Sequence, residues 1–330
     1  MAKEQIFVGV DMDAASIRGV RLSFAPNGGK PGKSAWRLLA AAEINADGGD
    51  FLDEARAVSA LKRLRENLKT RPSDKTSICL SGKQTYSVRM DARKLPDDEM
   101  EGMLRLELRK NMPFDPSAAT FDYQFMPAPA ESGGGEDGAA WGPVTVGAAA
   151  DSYLNRQADL YGKAGLPPYH ANVLPISIAN AFWAACGDGA AEPDGAVLIL
   201  HLGADVCTVA IDGRRAPFFS RTFSFNAAKA AGGSDAQNGE DKSADVSSSV
   251  DVLAGEVAKS AAYYRNAYRV GDISSISMLG AYASHPAFDG LAEKTGYPVR
   301  VTQTASLVRT EKPLEPGKYD LAIALAMQAA

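Results

Sequence analysis

Two strand–turn–strand units set about 190 residues apart constrain this chain more than any other feature. Gln5 to Val10 is apolar and β-branched, and Asp11-Met12-Asp13-Ala14-Ala15 has the small and acidic residues of a turn. Ser16 to Phe24 then returns with Ile17, Val20, Leu22 and Phe24 set among polar residues. The pattern recurs. Ala196 to Leu200 reads as a buried strand, His201-Leu202-Gly203-Ala204-Asp205 as a turn, and Val206 to Ile211 as a second strand closing at Asp212-Gly213. Similar hairpins at equivalent places predict an internally duplicated fold. A length of 330 residues has room for two such halves.

Helical patterns lie between the strands. Ala57, Leu61, Leu64 and Leu68 share one face of Asp53 to Lys69, and Met100, Met103, Leu104 and Leu108 share one of Asp97 to Asn111. The second of these has Pro96 before an acidic first turn, Arg109 and Lys110 at its end, and Pro113 as a stop. Ser152 to Ala164 is a third helix. A longer one carries Val250, Leu253, Val257, Ala261, Tyr264 and Tyr268 on one side and ends near Gly271. Strands alternating with helices define an α/β class, and the hairpins make its sheets mixed. Ala128 to Gly142 and Ala231 to Ser249 are glycine-rich or small, polar and acidic, and read as solvated loops.

Composition excludes several classes. With 45% hydrophobic and 23% charged residues the chain is not a disordered, collagen-like or disulfide-framework protein. Lys and Arg total 35 against 40 Asp and Glu, so the basic footprint of a nucleic-acid binder is missing. Cys79, Cys186 and Cys207 are widely spaced, which predicts a reducing compartment and no zinc site. The first residues lack the basic and apolar regions of a signal peptide. No stretch reaches the ~20 apolar residues of a membrane span. A cytoplasmic protein that meets a membrane only through a partner is therefore expected.

In a hairpin with Asp at the end of its first strand, the N–H groups of the turn can face phosphates while the Asp holds a metal or water. Asp11, Ala14, Ser16 and Arg18 fit that description in the first copy, and Gly203, Ala204 and Thr208 in the second. Either turn alone reads more readily as an ordinary hairpin; the duplication strengthens the phosphate reading. Other candidates are weaker. Gly28 to Ser34 ends like a Walker loop but has Asn27 where glycine is required, and it joins two strands. His170, His201 and His285 are too scattered for a metal site, and read as packed or surface histidines. Glu256 and Lys259 read as a solvated i,i+3 pair, with a nucleoside contact as the alternative.

Gly9-Val10-Asp11-Met12-Asp13-Ala14-Ala15-Ser16-Ile17-Arg18-Gly19-Val20 resembles the first phosphate loop of actin-like ATPases, and more narrowly that of the PilM-like type IV pilus assembly proteins. Leu95-Pro96-Asp97-Asp98-Glu99-Met100, followed by Leu106 to Phe114, is similar to the family's paired Leu-Pro and Pro-Phe segments. Phe121-Asp122-Tyr123-Gln124 resembles the next strand, and Glu256 to Arg265 resembles a later family helix. The resemblance implies a duplicated actin-like (ribonuclease H-like), two-lobed fold with an inserted small α+β subdomain. Residues 1–75 and 151–190 would form the first large subdomain and 76–150 the insertion. Residues 191–225 and 271–330 would form the second large subdomain, with 226–270 as its small one.

Three departures bear on chemistry. The family has Gly at position 13 where this chain has Asp13, a second-loop Asp where it has His201, and a run of glycines where it keeps only Gly280 before Ala281 and Tyr282. A carboxylate about 4 Å from a phosphate costs roughly 4 kcal/mol at an effective dielectric of 20, unless Asp13 turns outward, as Asp in a turn can. Losing the glycines removes backbone freedom near a nucleoside. The expectation is a pseudo-ATPase with no catalytic residue and no cofactor. ATP and Mg²⁺ are the ligands that Asp11, Ala14, Ser16, Arg18, Gly203, Ala204, Thr208 and Gly280 would hold if the cleft still binds.

The resemblance further implies a cytoplasmic scaffold of a pilus or type II secretion-like inner-membrane platform. Its partner would be the N-terminal tail of a PilN-like bitopic protein, held in a groove between the first large subdomain and the insertion. Met100, Met103, Met112 and Phe114 are the expected lining, with core packing as the equal alternative. The competing classes are an actin-like enzyme that hydrolyses ATP or phosphorylates a small substrate, and an FtsA-like filament former. The latter family ends in a basic amphipathic helix, unlike Leu321 to Ala330.

Overall fold

The computed structural model describes residues 4–25, 35–46, 50–126, 141–186, 195–213, 216–232, 242–269 and 272–330. The Gly28 to Ser34 loop lies outside them, as do 128–140 and 233–241 of the two expected loops.

In the first half, β1 (Gln5–Met12) turns into β2 (Ser16–Phe24), which pairs with β3 (Trp36–Asn45). After α1 (Glu54–Leu68), β4 (Lys75–Leu80) joins β1 in parallel. The inserted unit follows: β5 (Thr85–Arg93), α2 (Asp97–Leu108), β6 (Ala119–Phe125) and β7 (Trp141–Ala150). The chain then returns through α3 (Asp151–Lys163) to β8 (Pro168–Val173), beside β4, and leaves through α4 (Leu174–Cys186). The expected boundary at residue 76 falls inside β4. That strand belongs to the first sheet because Lys75 to Ile78 pair in parallel with Phe7 to Val10 of β1, so the insertion begins at β5.

The second half repeats the plan. It comprises β9 (Ala196–Leu202), β10 (Val206–Gly213), β11 (Ala216–Ser224), α5 (Ala227–Ala230), α6 (Lys242–Tyr268), β12 (Ile273–Leu279), α7 (Leu291–Thr295), β13 (Val299–Val301) and α8 (Asp320–Gln328). The first sheet has the order β3-β2-β1-β4-β8 and the second β11-β10-β9-β12-β13. Both central strands are fully buried where they carry Phe7, Val8 and Val10 or Val197 to Leu200, as continuous apolar runs require.

Two expectations change here. Residues 242–249, read as part of a loop, extend α6 at its N-terminal end, since adding a turn to an existing helix costs far less than nucleating one. Of the residues 226–270 expected as a small subdomain, the described part of α6 from Val250 on packs against the second sheet. Leu253, Val257, Ala261 and Tyr264 of α6 pack into the core of the second sheet.

The lobes exchange helices. Ile178 and Phe182 of α4 pack on Val197, Ile199 and Ala210 of the second sheet. Conversely, Ala322, Ile323 and Ala326 of α8 pack on Phe7, Val20 and Leu22 of the first. A Cβ on Gly9 would come within 1.9 Å of the Ala322 carbonyl oxygen, so only glycine lets α8 lie this close to β1. The apolar tail expected at the end of the second large subdomain is therefore core, packed on the first sheet through Ala322, Ile323 and Ala326 and against α4 and the second lobe through Leu321, Ala324 and Leu325. Among the described residues no helix is long and apolar enough to cross a membrane.

Candidate functional site

The first hairpin brings Asp11 and Arg18 opposite each other in the β1–β2 register. The Arg18 side chain is 1% exposed, so its charge needs partners within the protein. Its Nε and Nη2 donate to Asp11 Oδ2 at 3.1 and 3.0 Å, and Nη2 also meets Asp13 Oδ2 at 2.6 Å. The other oxygen of Asp13 accepts the N–H groups of Ala15 and Ser16, both at 2.8 Å. Asp13 thus turns inward, onto the amides expected to face a ligand phosphate. Burial opposes its ionisation, yet the charge and hydrogen bond of Arg18 and the two N–H groups hold its carboxyl below the usual range. Burial also works against the Arg18 charge; Asp11 and Asp13 outweigh it and raise its pKa.

The second turn has other chemistry. The Gly203 N–H donates to the Val206 carbonyl at 3.1 Å, closing the hairpin, and the Ala204 carbonyl accepts the Ala228 N–H at 3.4 Å. Thr208 Oγ1 meets Thr222 Oγ1 at 2.9 Å across the β10–β11 pair. His201, read from sequence as packed or exposed, is buried and close enough to Asp11, Arg18 and Asp13 for all three charges to act on it. Burial lowers its pKa, Asp11 and Asp13 oppose that, and Nε2 has no hydrogen-bond partner. Tyr282 also faces Asp13 and Arg18, and burial with Asp13 pushes its hydroxyl up.

The polar groups of the expected cofactor residues are thus engaged within the protein, in part by one another and in part by neighbouring strands and loops. The Ala14 carbonyl accepts the Phe51 N–H of the loop ahead of α1 at 3.0 Å. Gly280 has φ +106°, and a Cβ there would come within 2.6 Å of the Leu202 carbonyl, so the backbone alone demands this glycine. Glu256 pairs with Arg221 and, at 2.6 Å, with Lys259.

A second concavity of about 560 Å³ lies between the inserted sheet, β8, α4 and the second lobe. Strand alternation sorts the inserted sheet into two faces. Val144, Val146 and Ala148 face α2, while Thr145, Gly147 and Ala149 line the groove beside Arg89 and Gln124. Met100, Met103, Met112 and Phe114 lie on the α2 side, in the core of the insertion. Their spacing served the helix's own packing, so these four residues do not line this groove. At the groove's floor Arg89 Nη1 meets Asp212 Oδ1 at 2.6 Å, and Trp183 Nε1 donates to Asp212 Oδ2 at 2.9 Å. This clasp ties the insertion and α4 to the second lobe. Sequence reading missed it because its three members are about 30 to 120 residues apart and belong to no motif. Strands β6 and β8 are both sheet edges bordering the groove.

Two sheets of this order, exchanging helices across a cleft and carrying one inserted subdomain, define the duplicated actin-like fold. No family model matches the chain, and no curated protein matches it significantly. Among solved structures, a chain from a PilM–PilN type IV pilus biogenesis complex superposes with a TM-score of 0.76 at 19% identity, over 98% of each chain. A Bacteroides thetaiotaomicron protein with an actin-like ATPase fold and unknown function gives 0.47 at 8% identity, over 97% of this chain and 95% of that one. The cytoplasmic domain of EpsL, an inner-membrane component of the Vibrio cholerae type II secretion system, gives 0.42 at 11% identity, over 98% and 94%.

Proposed function

We propose that this chain is a cytoplasmic scaffold of a type IV pilus or type II secretion-like assembly platform. It docks the N-terminal tail of a PilN-like single-pass membrane protein in the groove beside the insertion, and it does not turn over ATP. The observation that carries this reading is the open groove, flanked by two sheet edges, in a fold shared from end to end with a chain of a PilM–PilN complex. An extended segment can pair with such an edge through its backbone and place alternate side chains in the groove. The non-catalytic part rests on the first phosphate loop, whose amides and guanidinium are already engaged by Asp11 and Asp13.

The test is anisotropy of a labelled peptide from the cytoplasmic tail of a single-pass protein encoded beside this gene. Asn180 lines the groove from α4 and is exposed, so Asn180→Trp obstructs the groove without disturbing the core. Saturable binding weakened at least about tenfold by that change, a difference of roughly 1.4 kcal/mol, is expected. Binding indifferent to Asn180→Trp would overturn the location, and no binding would overturn the docking role. Phosphate release from ATP–Mg²⁺ would overturn the non-catalytic part.

A further inference from the structure

We infer that Asp13 is a built-in anion occupying the chain's own phosphate cradle, and that the cradle beneath it is a latent site for a tetrahedral oxyanion. This rests on the reading of the cleft as one that does not turn over ATP, and supplies its cause. Two backbone N–H groups, of Ala15 and Ser16, converge on a single oxygen at 2.8 Å each, as they would on an oxygen of a bound anion. Arg18 completes the cradle from β2 and holds the second oxygen of Asp13.

The cradle is under-filled, and this is a separate observation. A guanidinium carries five N–H donors. Arg18 uses Nε and Nη2 on the two carboxylates, whereas Nη1 is buried without any partner. Across the cleft, His201 Nε2 is likewise buried and unpartnered. A planar carboxylate has two oxygens, one taken by the amides and one by Nη2. A phosphate or sulfate would bring further acceptors to the same corner. Arg18 thus has more donor capacity than the two carboxylates satisfy, while the negative charge of Asp13 keeps any other anion out.

The experiment compares the full-length protein with Asp13→Ala and Asp13→Asn by thermal melting in sodium phosphate, sodium sulfate, sodium formate and sodium chloride of equal ionic strength. Asp13→Ala should melt lower, and phosphate or sulfate should restore most of the loss saturably where chloride does not. Formate, a free carboxylate, should restore part of it. Asp13→Asn keeps an oxygen on both N–H groups and should show no phosphate response, and neither should the unaltered protein. If Asp13→Ala does not accumulate folded, the same anions are added during refolding from urea and the recovered tryptophan fluorescence is read instead. No phosphate effect beyond chloride on Asp13→Ala would reduce Asp13 to an ordinary turn residue and overturn the inference alone. An equal response from Asp13→Asn would overturn occupancy as the cause. Phosphate or ATP binding by the unaltered protein would overturn the inference, and ATP hydrolysis would take the non-catalytic reading with it.

Discussion

The cleft and the groove are both concave and both lined by polar residues, but their polar groups are in opposite states. In the cleft the first loop is closed on itself: Asp11, Asp13 and Arg18 form one buried cluster, and even Gly280 is explained by backbone geometry. In the groove the strongest polar contacts sit at the floor, and the rims are sheet edges paired on one side only. Turn amides that already hold an internal carboxylate have little to offer a ligand while that carboxylate stays in place, whereas an unpaired strand edge is a standing template for another chain. The turn that would face a phosphate is taken up here by internal contacts, and the proposed docking role falls to the groove.

Substitutions at Arg18 test the closed half of that contrast most severely. Arg18→Met leaves two carboxylates buried without their cation and should lower the unfolding free energy by roughly 3–5 kcal/mol in urea titrations. A loss below about 1 kcal/mol would show that water, not Arg18, satisfies them. Next comes the clasp shared by groove and lobe. Arg89→Met should cost roughly 3 kcal/mol, because Asp212 keeps only Trp183 and the Gly213 N–H, at 2.9 Å each. It should also weaken the tail peptide, since Arg89 lines the groove; unchanged affinity would separate the clasp from docking.

The smallest effect is one of pH. The folded-state pKa of His201 is depressed, so between that value and about 6.5 the unfolded chain binds more protons and stability rises with pH. The limiting slope is about 1.4 kcal/mol per pH unit for one such group. His170, also lowered by burial, adds a slope of the same sign. His201→Gln should flatten the pH 5–7 stability profile while leaving the His170 component. Asp13 acts in a different window: held below its ordinary pKa, it loses its contribution only as pH falls below about 4.

Much of the fold was legible because it is local or repeated. Strand β1 is a run of apolar residues, α1 begins at Asp53 and ends at Lys69 in the left-handed conformation, and the second hairpin repeats the first. The role of Asp13 was half legible. Its charge marked a departure, but outward and inward rotamers differ only in which donors lie nearby, and Arg18 is what settles it. Met100, Met103, Met112 and Phe114, expected from sequence to line a groove, pack instead on the α2 side of the insertion, because an apolar residue reads the same in sequence whether it meets a partner or its own sheet. The alternation along β7 held a clue to the groove, with Thr145 and Gly147 interrupting the apolar side chains on the face away from α2.

By itself the chain of residues determined the two hairpins, the helices between them and the acidic first turn carrying Asp11 and Asp13, since these depend on neighbours within a few positions. Tertiary structure alone decided that α8 crosses to the other lobe, that His201 faces Asp11 and Arg18, and that Arg89 reaches Asp212. Those outcomes join residues about 120 to 320 positions apart. Such contacts depend on which faces two separately folded sheets present to each other, a quantity that no local pattern encodes.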